Sequence, residues 1–145
     1  MRDIFRSAIL LLIPRATAQL VLQEQQPIQS PTACHLLAAT FPGLVAAISD
    51  KRYTTSQSSY WSARQADLKR DCRFYPKGAR EIQEALADIL IPYNVSIAVT
   101  SGGHSSTVDA SNVDQGVTID LSNFNSALLV DDDEAVILGV ACSMG

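Results

Sequence analysis

The residues best suited to chemistry form one short stretch, Ser101-Gly102-Gly103-His104-Ser105, directly after the apolar run 95–99. A glycine pair that follows a buried strand lets the backbone approach a ligand that side chains would exclude. The backbone N–H groups and serine hydroxyls of this stretch would form an anion-binding concavity suited to a pyrophosphate. His104 adds a nucleophilic imidazole beside it. Because Gly-Gly dipeptides before a polar residue are common in turns, the stretch taken alone favours a simple turn.

Other kinds of active site find little support. Two histidines without a third ligand do not make a zinc site, so no metal is expected. The acidic run 131–134 lacks the spaced ligands and the turn glycine of a calcium loop, and it predicts a solvated hairpin turn. The sequence contains no nucleophile elbow, Walker loop or Rossmann glycine pattern.

Composition sets broad limits on the class of protein. The 145 residues fit one domain, with 47% hydrophobic and 18% charged residues. The net charge is −4 and the eleven Lys and Arg residues are dispersed, which argues against a nucleic-acid partner. No stretch of eighteen apolar residues is present, so we expect no membrane span in the mature chain.

The hydrophobic pattern predicts a mixed fold. Ser30 followed by Pro31 begins a helix that runs to about Thr40, and residues 44–71 are expected to be irregular. Three aromatic residues would anchor this irregular region: Tyr53, Tyr60 and Trp61. A helix over 78–90 and strands over 72–75, 95–99, 116–121 and 135–140 follow. Strands that alternate with a helix and a glycine loop indicate an α/β or α+β fold.

The N-terminus is typical of a secreted protein. Arg2 and Arg6 precede a short apolar run and the triplet Ala16-Thr17-Ala18, which predicts a signal peptide over 1–18. An N-terminal amphipathic helix that stays attached is the alternative. Residues 19–33 would then form a lead-in segment, and the sequon at Asn94 would be a glycosylation site. An odd number of cysteines permits at most one intramolecular disulfide and leaves one thiol over.

Several ordered motifs together resemble one family. They are Pro42-Gly43-Leu44-Val45, Tyr60-Trp61-Ser62-x-x-Gln65, Cys72-x-Phe74-x-Pro76, Ser101-Gly102-Gly103-His104-Ser105 and Gly116-Val117-Thr118-Ile119-Asp120-Leu121-Ser122. The sequence resembles the N-terminal flavin-binding part of the berberine-bridge-enzyme-like (BBE-like) FAD-linked oxidases, in particular secreted fungal members. These belong to the vanillyl-alcohol oxidase and p-cresol methylhydroxylase (PCMH) type of flavoprotein. The resemblance covers residues 34–145 and implies the first βαββ part of a PCMH-type FAD-binding domain.

The resemblance assigns roles to individual residues. It implies that His104 is bonded to the 8α-methyl carbon of FAD, and that a first stretch (Ser101, Gly102, Gly103 and Ser105) and a second (Ser111 and Asn112) hold the FAD diphosphate. It also implies a disulfide between Cys34 and Cys72. In such relatives the flavin takes a hydride from an alcohol or sugar-type substrate and is reoxidised by O₂.

The sequence also departs from the family. Thr100 stands where relatives usually carry an arginine, and Ala141 and Met144 replace a glycine and a tryptophan. Relatives continue into a substrate-binding part that carries the catalytic base, so a truncated domain is expected here. Two other interpretations therefore stay open: a non-catalytic remnant of such an oxidase, and a secreted binding module without flavin.

Overall fold

The computed structural model describes residues 30–130 and 135–141. The predicted signal peptide, residues 19–29 of the lead-in, the acidic turn 131–134 and Cys142 lie outside these ranges. The helices and strands, in chain order, are α1 (Ser30–Thr40), β1 (Val45–Ala47), α2 (Lys51–Ser58), α3 (Ala63–Ala66), β2 (Cys72–Phe74), α4 (Ala79–Glu84), β3 (Ile97–Thr100), β4 (Val117–Asp120), β5 (Ala127–Val130) and β6 (Ala135–Leu138). The last residues of the lead-in therefore already belong to α1.

A four-stranded mixed sheet forms the centre of the fold. Its strand order is β1-β2-β4-β3, in which β2, β4 and β3 run parallel and β1 is antiparallel to β2. The predicted helix over 78–90 is confirmed and connects β2 to β3, with a π-helical second half over Ala85–Leu90. The expected mixed α/β class is therefore confirmed. The three parallel strands end at the same edge of the sheet, where ligand sites commonly lie in α/β folds.

The hydrophobic core lies between α1, the π-helical turn and one face of the sheet. Ala33 and Leu37 share one face of α1, and Phe41, directly after the helix, continues the same spacing and is buried with them. The Phe41 ring lies 5.0 Å from the ring of Phe74 on β2. The Ser30 hydroxyl does not act as a local cap here, because it donates to the carbonyl of Gln115 at 2.7 Å.

Residues 44–71 are not irregular, which corrects the sequence-based expectation. They contain β1, α2 and α3. The α2 helix lacks an apolar stripe and buries only Tyr53, which explains why the periodicity did not reveal it. Its start is nevertheless capped, because the Asp50 carboxylate accepts a hydrogen bond from the Arg52 amide at 2.8 Å. Tyr53 and Tyr60 are buried as expected, but Trp61 is 73% exposed and does not anchor the segment.

The last two strands form a separate two-stranded sheet. The predicted strand over 135–140 ends at Leu138, and it pairs with β5, which the sequence pattern did not predict. The apolar side chains of this ribbon are exposed; they include Leu128, Leu129, Val136, Ile137 and Leu138. Among the helices in 30–130 and 135–141, none has the length and hydropathy needed to cross a membrane.

Candidate functional site

The Ser-Gly-Gly-His stretch begins directly after β3, at the edge where the parallel strands end. Gly103 has a φ of 68°, a left-handed conformation that favours glycine. Within the described part of the chain, the amides of residues 102–106 donate to no other group, and His104 is exposed without a hydrogen-bond partner. A run of unpaired amides in one loop is the arrangement that binds anions in backbone nests.

The loop lies against Tyr60. A Cβ atom added to Gly103 would lie 3.6 Å from Cδ1 of the Tyr60 ring, so the glycine packs directly on that ring. The Tyr60 hydroxyl donates to the carbonyl of Ser111 at 2.8 Å. Tyr60 thereby contacts both stretches that the resemblance assigned to the diphosphate.

Asn112 ties the second stretch to the segment below it. Its Nδ2 donates to the carbonyls of Gln65 and Leu68, and its Oδ1 accepts from Arg70 and Thr118. The side chain is fully buried, and these four contacts use its hydrogen-bonding capacity inside the chain. Asn112 therefore supports the backbone of this stretch in the structure. Its predicted contact with a diphosphate stays a prediction.

The serine hydroxyls differ in whether they can still donate a hydrogen bond to a ligand. The Ser101 hydroxyl donates to the carbonyl of Val140 at 2.6 Å, so its proton is already used. The Ser105 oxygen accepts from the Thr107 amide at 3.2 Å and keeps its proton for another acceptor. Ser111 is buried, and its Oγ has no partner among the residues described.

Two buried arginines lie beneath this region. The Arg73 Nε atom lies 2.6 Å from Oδ2 of Asp120, and its Nη1 lies 3.3 Å from the Tyr60 hydroxyl. Arg70 is fully buried and contacts no carboxylate within the described ranges. Its guanidinium donates to Ser56, Asn112, the Tyr53 carbonyl and Gln57, and burial lowers its pKa. The region therefore contains a buried positive charge without an ionic partner.

A cleft of about 540 Å³ opens beside the loop. Its walls share polar or cationic side chains: Lys51, Arg52, Thr55, Ser56, Ser59, Arg73, Tyr75, Ser101, Asp120 and Ser122. Ser101 and Ser122 follow the ends of β3 and β4, so the cleft lies at the carboxyl edge of the sheet. Arg73 is paired with Asp120 and Arg52 with Asp50, so within the described residues Lys51 is the cation of this lining without a carboxylate partner. The polar lining favours a polar ligand.

Neither backbone conformation nor packing within the described chain requires a glycine at position 102. Its φ is outside the left-handed range, and an added Cβ would meet no atom within 4 Å. Close approach of a ligand to the loop backbone is a physical reason for a glycine at such a position. The Thr100 Oγ1 is also buried without a partner in the described part of the chain, at the base of this loop. The unpaired amides, the free Ser105 proton and Gly102 together fit a diphosphate.

The remaining predicted sites are located as follows. Cys34 and Cys72 are joined in a disulfide, which confirms the implied pairing and ties α1 to β2. Asn94 is exposed in the turn before β3, where a glycan would have room. No group of three His, Cys, Asp or Glu residues that could hold a metal ion is found in residues 30–130 and 135–141.

Sequence reasoning missed the residues that support the loop. Gln65 donates from its side-chain amide to the Thr107 carbonyl, and Arg70 and Tyr60 contact the second stretch as described above. Tyr60 and Gln65 were part of a motif, so they could have been identified as candidates from the resemblance. Arg70 gave no signal, because burial of an arginine without a carboxylate cannot be read from composition or spacing.

Comparisons with known proteins agree with this description. An FAD-linked oxidoreductase of Arthroderma benhamiae, itself uncharacterised, is 33% identical over 87 residues, which are 60% of this chain and 17% of that protein. Three other curated relatives are FAD-dependent monooxygenases by name. No family model matches the chain. The chain thus spans about a sixth of the length of the first relative.

Solved structures show the same fold. A variant of Phl p 4, a glucose dehydrogenase, superimposes with a TM-score of 0.62 at 18% identity, over 79% of this chain and 24% of that chain. A variant of BBE-like 1 from Physcomitrella patens gives a TM-score of 0.57 at 17% identity, over 72% and 22% respectively. The resemblance inferred from the motifs is thereby confirmed. The fold is that of the first part of a PCMH-type FAD-binding domain, as found in BBE-like proteins.

Proposed function

We propose that this chain binds FAD and holds its diphosphate on residues 101–105 and 110–112. The single observation that carries the proposal is the loop after β3, where unpaired amides surround a glycine, Gly102, that the fold itself does not require. A diphosphate would accept hydrogen bonds from these amides and from the Ser105 hydroxyl. The FAD-linked names of the curated relatives support the identity of the ligand.

The charge of the surroundings suits the same ligand. Lys51 lines the adjacent cleft, and Arg70 adds a buried positive charge; neither is paired with a carboxylate within the described residues, whereas Arg52 and Arg73 are. Positive charge near the loop lowers the free energy of a bound diphosphate. The cleft would also admit the part of the cofactor that extends away from the diphosphate.

His104 is the proposed point of covalent attachment. Its imidazole is exposed at the end of the loop, and it has no competing hydrogen bond in the described part of the chain. A C–N bond between a ring nitrogen and the 8α carbon replaces one methyl C–H and one imidazole N–H. The two electrons and two protons that leave need an oxidant, for which O₂ is proposed.

The proposed activity of the whole protein is that of an FAD-linked oxidoreductase. The flavin would accept a hydride from an alcohol or sugar-type substrate and pass the electrons to O₂. Residues 1–145 would contribute the diphosphate cradle and the attachment histidine. The catalytic base is assigned to a part of the protein outside this sequence, so we expect no alcohol-dependent peroxide formation from these residues alone.

Binding of three ligands tests the proposal. The purified chain is titrated with FAD, ADP and riboflavin, and binding is measured by calorimetry and by flavin fluorescence. We expect FAD and ADP to bind with dissociation constants within about tenfold of each other, and riboflavin, which has no phosphate, to bind at least tenfold more weakly. Equal affinity for riboflavin and FAD would contradict a diphosphate site, and no binding of FAD or ADP would reject the function.

Secretion is part of the same proposal. The pattern Arg2, Arg6, apolar run and Ala-x-Ala supports cleavage after Ala18, and the exposed Asn94 supports glycosylation. Expression in a eukaryotic host should give a secreted chain that begins at Gln19 and loses mass on treatment with an N-glycosidase. An intact Met1 on secreted protein would reject the cleavage.

A further inference from the structure

Tyr60 joins two stretches that are otherwise separate along the chain. Its ring supports Gly103, and its hydroxyl holds the Ser111 carbonyl at 2.8 Å. We propose that Tyr60 is a positioning residue, an inference that rests on the FAD binding proposed above. It fixes the spacing between residues 101–105 and residues 110–112, so that both present their backbone to the same diphosphate.

Tyr60 is itself held in place by the central strands. The hydroxyl lies 3.3 Å from Arg73 Nη1, and Arg73 is paired with Asp120 on the neighbouring strand. Tyr60 is 8% exposed, and the ion-paired side chains are 5% exposed each. Burial also raises the pKa of Tyr60, so the phenol keeps the proton that it donates to Ser111. Through Tyr60 and Arg73, the second stretch is held at a fixed position relative to the central sheet.

A tyrosine with a purely structural role can also donate a buried hydrogen bond to a backbone carbonyl, but it would not fix the spacing between residues 101–105 and 110–112. Tyr53 provides that comparison in the same chain. It is similarly buried, and its hydroxyl donates to the Arg70 carbonyl at 2.8 Å. This bond ends on the backbone of Arg70, whereas the contact with Asn112 is made by the Arg70 side chain. Replacing either tyrosine with phenylalanine removes one buried O–H to carbonyl bond and keeps the ring.

The experiment compares Tyr60→Phe with Tyr53→Phe. Urea midpoints are expected to fall by similar amounts in both variants. Backbone ¹⁵N order parameters measure the rigidity of residues 110 and 111 in the absence of ligand. We expect values near 0.85 in the unmodified chain and in Tyr53→Phe, and values below about 0.6 in Tyr60→Phe. FAD titration should show at least fivefold weaker binding in Tyr60→Phe and less than twofold weakening in Tyr53→Phe.

A second variant, Tyr60→Leu, also removes the ring. It is expected to lower the order parameters of residues 102–105 as well, and if it does not fold, the phenylalanine variants decide alone. Equal order parameters and equal FAD affinities in Tyr60→Phe and Tyr53→Phe would overturn the role of Tyr60, even when FAD binds. If the unmodified chain binds no FAD, the proposed function fails. The order parameters then still decide whether Tyr60 fixes the two stretches.

Discussion

The Nε atom of Arg73 on β2 lies 2.6 Å from Oδ2 of Asp120 on β4, and both side chains are almost fully buried. The pair joins two neighbouring parallel strands at the edge where the glycine loop begins. Removing one member of a buried pair leaves the other charge without compensation, which typically costs about 3–5 kcal/mol. The ion pair is therefore expected to contribute to the integrity of the site and of the sheet.

The first prediction concerns this pair. Asp120→Asn should lower the free energy of unfolding by about 3 kcal/mol or more, because Arg73 would remain buried and charged. Urea denaturation measures the change. Glu84→Gln is the matched control, because it removes a solvent-exposed pair with Arg80 and should change stability very little. A similar small loss in both variants would show that the buried pair does not stabilise the fold.

The second prediction concerns the disulfide between Cys34 and Cys72, which closes a loop of 38 residues. Constraining the unfolded chain to this extent is expected to stabilise the protein by roughly 4 kcal/mol. The double substitution Cys34→Ala, Cys72→Ala should lower the urea midpoint accordingly, and a reducing agent should have the same effect on the unmodified chain. If the reduced chain unfolds at the same urea concentration as the oxidised one, the predicted stabilisation is absent.

The third prediction concerns alkaline pH. Burial raises the pKa of Tyr53 and of Tyr60 above the ordinary value of 10.0. The unfolded chain therefore loses these phenolic protons first, so stability is full below about pH 10 and falls as the pH rises through the two folded-state pKa values. Urea midpoints measured from pH 8 to 11 should show this fall. The double variant Tyr53→Phe, Tyr60→Phe should start lower and decline less steeply, and an unchanged slope would contradict the assignment.

The fourth prediction concerns Gly103. Its φ of 68° disfavours any residue with a Cβ, so Gly103→Ala should cost about 1 kcal/mol. Gly43→Ala is the control, because Gly43 has a φ of 80° and open space around it. Both variants should lose similar stability in urea, whereas only Gly103→Ala, which changes the loop on Tyr60, should weaken FAD binding. If both variants lose the same FAD affinity, the weaker binding follows from their lower stability and not from a change in the loop on Tyr60.

The sequence predicted well those elements that carry an apolar periodicity or clear end signals. The first helix was found from its Ser30-Pro31 start, and β4 was found from its alternation. By contrast, α2 is a polar helix stabilised by the Asp50 cap and by long-range contacts of Tyr53. Such contacts depend on the folded chain, and local patterns do not contain them.

The candidate site was predicted only in part for a similar reason. The glycine pair and His104 are visible in the sequence, because their residue types are unusual beside a strand. The contacts of Tyr60 with Gly103 and Ser111 join residues 43 and 51 positions apart, and no local pattern encodes them. Trp61 shows the reverse error, since a large aromatic residue was expected to be buried and is exposed.

A ligand diphosphate is proposed to approach the backbone at Gly102. Gly102→Ala tests it most directly, because an added Cβ meets no protein atom and should leave stability unchanged. Gly78→Ala is the control, because Gly78 also has open space and no positive φ. The measurement is the dissociation constant for FAD, with urea midpoints recorded in parallel. We expect at least tenfold weaker binding in Gly102→Ala, at an unchanged urea midpoint, and less than twofold change in Gly78→Ala. FAD affinity in Gly102→Ala equal to that of the unmodified chain would contradict this proposal.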